Sequence, residues 1–217
     1  MSRRTWTLEE SIARLEAHDP VVRAAAEKLE RVMREILGSP PHRGIVGLDL
    51  SLRRPGVCGL SGSWSPADPW VNVTVEAFPE VKDTGSKRLL RITQGVEGFV
   101  EKLAGDPRRP PAVFVEQHAF GMAGGSFALE RAELVGGVKV MVLRRWGVEV
   151  IPIVASSARK LLFGPQRRMS TREWKPFIHA SFREMGAPGT WGEDERDAFV
   201  VSNCGRHLLG APCLAHG

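Results

Sequence analysis

Residues 45–60 read IVGLDLSLRRPGVCGL: an apolar run closing on an aspartate, a basic turn with a proline, and a second apolar run. The first run, Arg43–Leu50, is continuous enough to predict a strand covered on both faces. Gly56–Ser63 and Trp70–Phe78 predict two further strands, and the intervening Arg53-Arg54-Pro55 and Ser65-Pro66 suit hairpin turns. Downstream, the periodicity changes. A helix is expected over about 85–104, then a strand Ala112–Glu116, a long helix over 126–145 and a strand Val148–Val154. Short helices near 156–162 and 170–184 flank a basic loop, Gly164–Met169, and a last helix spans 191–208, opened by Thr190-x-x-Glu193 as a capping box. Upstream, Thr7-x-x-Glu10 opens one short helix, and Asp19, Pro20 and Gly38 bound a second. Residues 1–42 are thus read as an N-terminal helical hairpin, and 43–217 as the main domain. Three antiparallel strands followed by alternating helices and strands predict an α/β fold: a mixed five-stranded sheet with helices on both faces.

Composition narrows the class. With 42% hydrophobic and 25% charged residues the chain matches a soluble globular protein. It has no apolar run near the roughly 18 residues needed to span a bilayer, and its N-terminus lacks the apolar core of a signal peptide. A cytoplasmic protein without a membrane partner is expected. Cys58, Cys204 and Cys213 are scattered with no CxxC pair, which speaks against a disulfide framework or a zinc site. The net charge of +5 is concentrated in residues 155–185, where Arg159, Lys160, Arg167, Arg168, Arg172, Lys175 and Arg183 face only Glu173 and Glu184. Such a run suits a polyanion, although a basic face can also be merely solvated.

Four acids stand out by position. Asp49 ends the first strand and Glu116 the fourth, where α/β sheets carry their sites. Asp194 and Asp197, three apart, share one face of the last helix with Val201, Cys204 and Leu208, so they belong to the side that packs on the sheet. Outward-facing acids would align instead with Arg196 and Asn203. Taken singly, each acid has a plainer reading: a turn-forming Asp49, a polar strand end at Glu116, helix-dipole partners at Asp194 and Asp197. Taken together, crowded carboxylates need a cation, and hard oxygen donors select Mg²⁺, with Mn²⁺ able to substitute. Two such ions serve phosphodiester hydrolysis, and Asp49, on the interior strand, is the best placed to see both.

The motifs also resemble those of RuvC-type Holliday-junction resolvases, in the RNase H-like superfamily. IVGLDLSLRRPGVCGL resembles their first motif, VFVEQ their second, ALERAELVGGVKVMV the following long helix, VIPIVASSARKLLFG the strand and helix before a basic loop, and EDERDAF the final D-x-x-D-A helix. The likeness covers about 43–210, in family order. It implies that Asp49, Glu116, Asp194 and Asp197 are metal ligands, and that the chain forms a homodimer nicking two strands of a four-way junction symmetrically. The 126–145 helix suits that dimer, because Phe127, Leu129, Leu134, Val135, Val138, Val140, Met141 and Val142 run most of the way round it, as on a helix buried on more than one side. Ser51 departs from the usual Gly in a form associated with phage-encoded relatives, and fits if the turn has negative φ. Phe120 is the expected junction wedge, slightly farther from the Glu than the family's aromatic, with His118 as the other candidate. Ser126, at the end of the glycine-rich run 121–126, suits a helix N-cap that holds a phosphate. Arg159, Lys160, Arg167, Arg168 and Arg172 are the expected DNA-backbone contacts. Nucleases for flaps, forks or structured RNA use the same fold, and a binding protein without cleavage is a third reading, opposed by the intact acid set.

Overall fold

The computed structural model describes residues 44–61, 70, 72–104, 110–117, 126–164, 171–209 and 214. The expected helices within 1–42 lie outside them. Five strands, β1 (Gly44–Asp49), β2 (Gly56–Ser61), β3 (Val73–Ala77), β4 (Ala112–Gln117) and β5 (Val150–Val154), form one sheet in the order β3-β2-β1-β4-β5. β1 pairs antiparallel with β2 and parallel with β4, while β2–β3 is antiparallel and β4–β5 parallel. The helices are α1 (Gly85–Ala104), α2 (Ser126–Trp146), α3 (Ala155–Phe163), α4 (Thr171–Glu184) and α5 (Glu193–Leu208). This is the mixed five-stranded α/β sheet expected from the order of apolar runs.

Strand parity sends alternate side chains into two cores. Val46, Leu48, Val113 and Val115 meet Ile92, Val96, Phe99 and Val100 of α1 and Leu134, Val138 and Val142 of α2. Ile45, Ala112, Phe114 and Ile153 meet α3, α4 and α5 through residues such as Leu162, Phe182, Phe199 and Val201. β1 is buried along its whole length, as a strand between two helical layers must be. Rings tie the second layer together: Phe182 packs against Trp70, Phe163, Trp191 and Phe199 with centroids 5.7–6.4 Å apart. Trp70 also donates its Nε1–H to the Met185 carbonyl at 2.9 Å.

Glycine lets α5 lie directly on the strands. A Cβ at Gly47 would collide with the Ser202 amide and the Ala198 carbonyl, and one at Gly56 with the Asp194 carbonyl. The two glycines therefore set how near the acid-bearing end of α5 comes to β1.

Several boundaries differ from expectation. β3 begins at Val73 rather than Trp70, because Asn72 adopts a left-handed turn (φ 65°) and Trp70 joins the aromatic cluster. β5 begins at Val150 rather than Val148. The capping box at Thr190 does not form: the N-cap of α5 is Gly192, with no side-chain cap bond, and Glu193 pairs with Lys175 Nζ at 2.9 Å instead. Asn203 is no outward-facing position. It is buried, clamping Leu214 by accepting its N–H at 3.0 Å and donating to its carbonyl at 2.7 Å. Along helix α2, Leu134, Val138 and Val142 are buried, whereas Leu129 is 65% exposed and Val140 53%. Cys58 and Cys204 are buried and not disulfide-bonded, and burial pushes the Cys58 thiol up to about 12, as for an inert core residue. Cys213 lies outside the described residues. Among the described residues no helix is long and apolar enough to cross a membrane.

Gly47→Ala forces a methyl into the backbone of α5, with no flexible side chain to yield. The variant should lose about 3 kcal/mol of stability, read as a lower urea midpoint; an unchanged midpoint would refute the close docking.

Candidate active site

Parity carries Asp49 and Glu116 to one face. Ile45, Gly47 and Asp49 alternate along β1 toward α5, as do Ala112, Phe114 and Glu116 along β4. The parallel register pairs Leu48 with Val115, so the next residues on both strands, Asp49 and Glu116, are lateral neighbours. Both are buried. Asp194 and Asp197 arrive on the first two turns of α5, held there by the Gly47 and Gly56 contacts.

The turn after Asp49 is closed by Ser51, whose Oγ accepts the Arg54 N–H at 2.9 Å and whose N–H is donated to the Asp49 carbonyl at 3.1 Å. Asn72 alone among the described non-glycine residues has positive φ, so Ser51 occupies its turn without strain.

The electrostatics are those of crowded, desolvated acids. Burial raises the Asp49 carboxyl well above its ordinary value of 3.8, and the negative charges of Glu116, Asp197 and Asp194 raise it further, with Arg131 of α2 opposing. Asp197 is pushed up to about 6, chiefly by burial, against the pull of Arg159. Asp194 is raised by burial, while Arg54 pulls it down. Asp49 thus feels the charge of all three other acids.

Arg159 stands among them. Its Nη2 lies 3.4 Å from Asp197 Oδ1 and 4.0 Å from Glu116 Oε1, and its guanidinium sits 5.4 Å from the Trp174 ring centroid. Arg159, which is also an expected DNA-backbone contact, is turned toward the acid cluster. As the side chains are placed, the described residues contain no group of three or more His, Cys, Asp or Glu that could hold a metal ion. The donor set nevertheless fits a hard divalent ion chemically: buried, mutually repelling carboxylate oxygens relieved by positive charge. The placement is that of the cluster neutralised by arginine.

Lys160, exposed on α3, lines with Arg159, Trp174, Lys175, His179 and Arg196 a cleft of about 710 Å³ that reaches Asp197. Arg131, Arg54, Trp174 and Arg196 are site residues that the sequence did not single out for function; Arg131 and Arg54 come from elements remote in sequence from Asp49 and Asp194, the acids they face. His118, Phe120, Arg167 and Arg168 lie outside the described residues, as do the side chains of Ser126 and Arg172.

A carboxyl whose folded pKa exceeds its unfolded one holds its proton more tightly in the folded state. The stability this confers is complete below the ordinary value of 3.8 and lost as pH rises through about 6. Asp197→Asn, which never carries the charge, should therefore gain stability relative to the natural chain between pH 4.5 and pH 7.5 in EDTA. Melting temperatures measured across that range test this, and a gap that moves the other way would contradict the burial argument.

No protein-family model matches the sequence, and no curated protein matches it. Solved structures do. Thermus thermophilus RuvC superposes with a TM-score of 0.54 at 18% identity, covering 77% of this chain and 97% of that one. The same enzyme in complex with Holliday junction substrate gives 0.54 at 16% identity, covering 78% and 97%. Fowlpox virus resolvase with its substrate Holliday junction DNA gives 0.46 at 11% identity, covering 76% and 98%. The chain has the RuvC-type, RNase H-like fold.

Proposed function

We propose that the chain is a divalent-metal-dependent endonuclease that resolves four-way DNA junctions by paired symmetric nicks. The observation that carries this reading is the convergence of Asp49 and Glu116, on adjacent parallel strand ends, with Asp194 and Asp197 of a helix seated on the glycines of the same strands. A protein that only bound nucleic acid would gain nothing from clustered negative charge facing phosphates. Asp49, the deepest of the four and within the field of the other three, serves as the shared ligand, with Glu116, Asp194 and Asp197 completing the set. Held by these four residues, Mg²⁺ or Mn²⁺ would supply Lewis-acid activation of water and charge stabilisation of the leaving oxygen. The chain's own part is to hold the carboxylates in register and to seat the backbone of the bound strand on the basic residues of the neighbouring cleft, Lys160 and Arg196 among them.

Symmetric nicking needs two sites, and α2 supports a homodimer. Leu129, Val140 and Leu143 form an exposed apolar stripe, with the small Ala132 and Gly136 between them, on the side opposite Leu134, Val138 and Val142. Small residues let a second helix approach closely.

Purified protein with Mg²⁺ or Mn²⁺ is offered a labelled four-way junction, a flap, a duplex and an RNA hairpin. Paired nicks confined to the junction are expected; preference for the flap or the RNA would sink the resolvase reading. Asp49→Asn and Glu116→Gln should reduce cutting to background while junction binding persists, and a variant that still cuts at near the natural rate removes that residue from the site.

Val140→Glu places a charge in the exposed stripe. Light scattering should show a monomer where the natural chain is a dimer, and the junction should then receive single, uncoupled nicks.

A further inference from the structure

The side chain of Arg159 reaches the acid cluster from α3, with Asp197 38 residues away in sequence and Glu116 on a different strand. It is placed against two of the four carboxylates at once, and its side chain is only 29% exposed. Its other neighbour is an aromatic face: Trp174 of α4 lies beneath the guanidinium, on the wall of the cleft that Lys160, His179 and Arg196 also line. A planar cation between carboxylates and an indole has two stabilising surroundings, one on either side. A divalent ion is repelled by a guanidinium on the same two carboxylates, so the two cations compete for Glu116 Oε1 and Asp197 Oδ1.

Resting on the metal-ligand reading above, we propose that Arg159 is the resident counter-ion of the acid cluster, which a divalent ion must displace toward Trp174 and the basic cleft before the four acids can close on metal. Arg159 is then a positioning residue with two stations. In the metal-free chain it offsets the repulsion between Glu116 and Asp197. In the metal-loaded chain it adds its charge to the cleft where a strand's phosphates lie. The displacement makes metal binding weaker than the donor set alone would allow, and it couples metal loading to a more positive binding surface.

Mn²⁺ binding is measured by electron paramagnetic resonance on the full-length natural chain and on Arg159→Gln, Arg159→Lys and Asp49→Asn. Melting temperatures are taken in EDTA and at saturating Mg²⁺. Arg159→Gln should bind Mn²⁺ at least about tenfold more tightly, for one like charge removed from the ion's immediate surroundings, with Arg159→Lys between it and the natural chain. It should also melt lower in EDTA, and the deficit should shrink in Mg²⁺. Equal or weaker Mn²⁺ binding by Arg159→Gln, with Asp49→Asn abolishing it, overturns the counter-ion role and leaves the ligand assignment standing. No Mn²⁺ binding by the natural chain, or binding that survives Asp49→Asn, overturns both.

Discussion

Carboxylates gathered out of water repel one another, and the rest of the site answers that constraint. Asp49 is buried at the end of the central strand and feels three neighbouring negative charges. Positive charge reaches the group from three directions: Arg131 from α2, Arg159 from α3, and Arg54 from the turn after β1. Leaving any one buried acid without such a partner would cost several kcal/mol in principle, so the arginines and the acids form a single electrostatic unit. A divalent ion is a stronger solution to the same problem, being a more compact and more highly charged cation than a guanidinium.

Such a cluster persists only if its framework resists being pushed apart. Two glycines bring α5 onto β1 and β2 at backbone contact, closer than any side chain would permit. The ring cluster about Phe182 joins α4, α5 and Trp70 behind it, and Asn203 pins Leu214 over the far end of α5. Asp194 and Asp197 therefore occupy the rim of a helix whose following residues, Ala198 to Arg206, are buried. The rigidity is supplied at a distance from the charges it restrains.

The long helix α2 divides its two apolar faces between different tasks. Leu134, Val138 and Val142 complete the first core, while Leu129, Val140 and Leu143 remain at the surface on the opposite side. Helix periodicity alone counts both faces as buried. Only placement of the sheet on one side shows that Leu129, Val140 and Leu143 stay exposed.

What could be read from the residues alone was local. Continuous apolar runs bounded by Gly, Pro and Asp marked strands, helical spacing marked the layers, and their order selected a mixed sheet, because each signal lies within one segment. Asp49 and Glu116 were visible as strand ends, and Asp194 and Asp197 as one helix face, for the same reason. The start of α5 was misplaced because Thr190 matches a cap pattern while Glu193 is drawn to Lys175. The inward turn of Asn203 was hidden because its partner, Leu214, is a tail residue with no periodic signal. The sequence by itself determined which acids could meet and on which elements. Which arginine stands between them, and how near α5 approaches, was decided only by tertiary structure, since charge pairing and backbone contact act through space between segments that leave no mark on one another's local pattern.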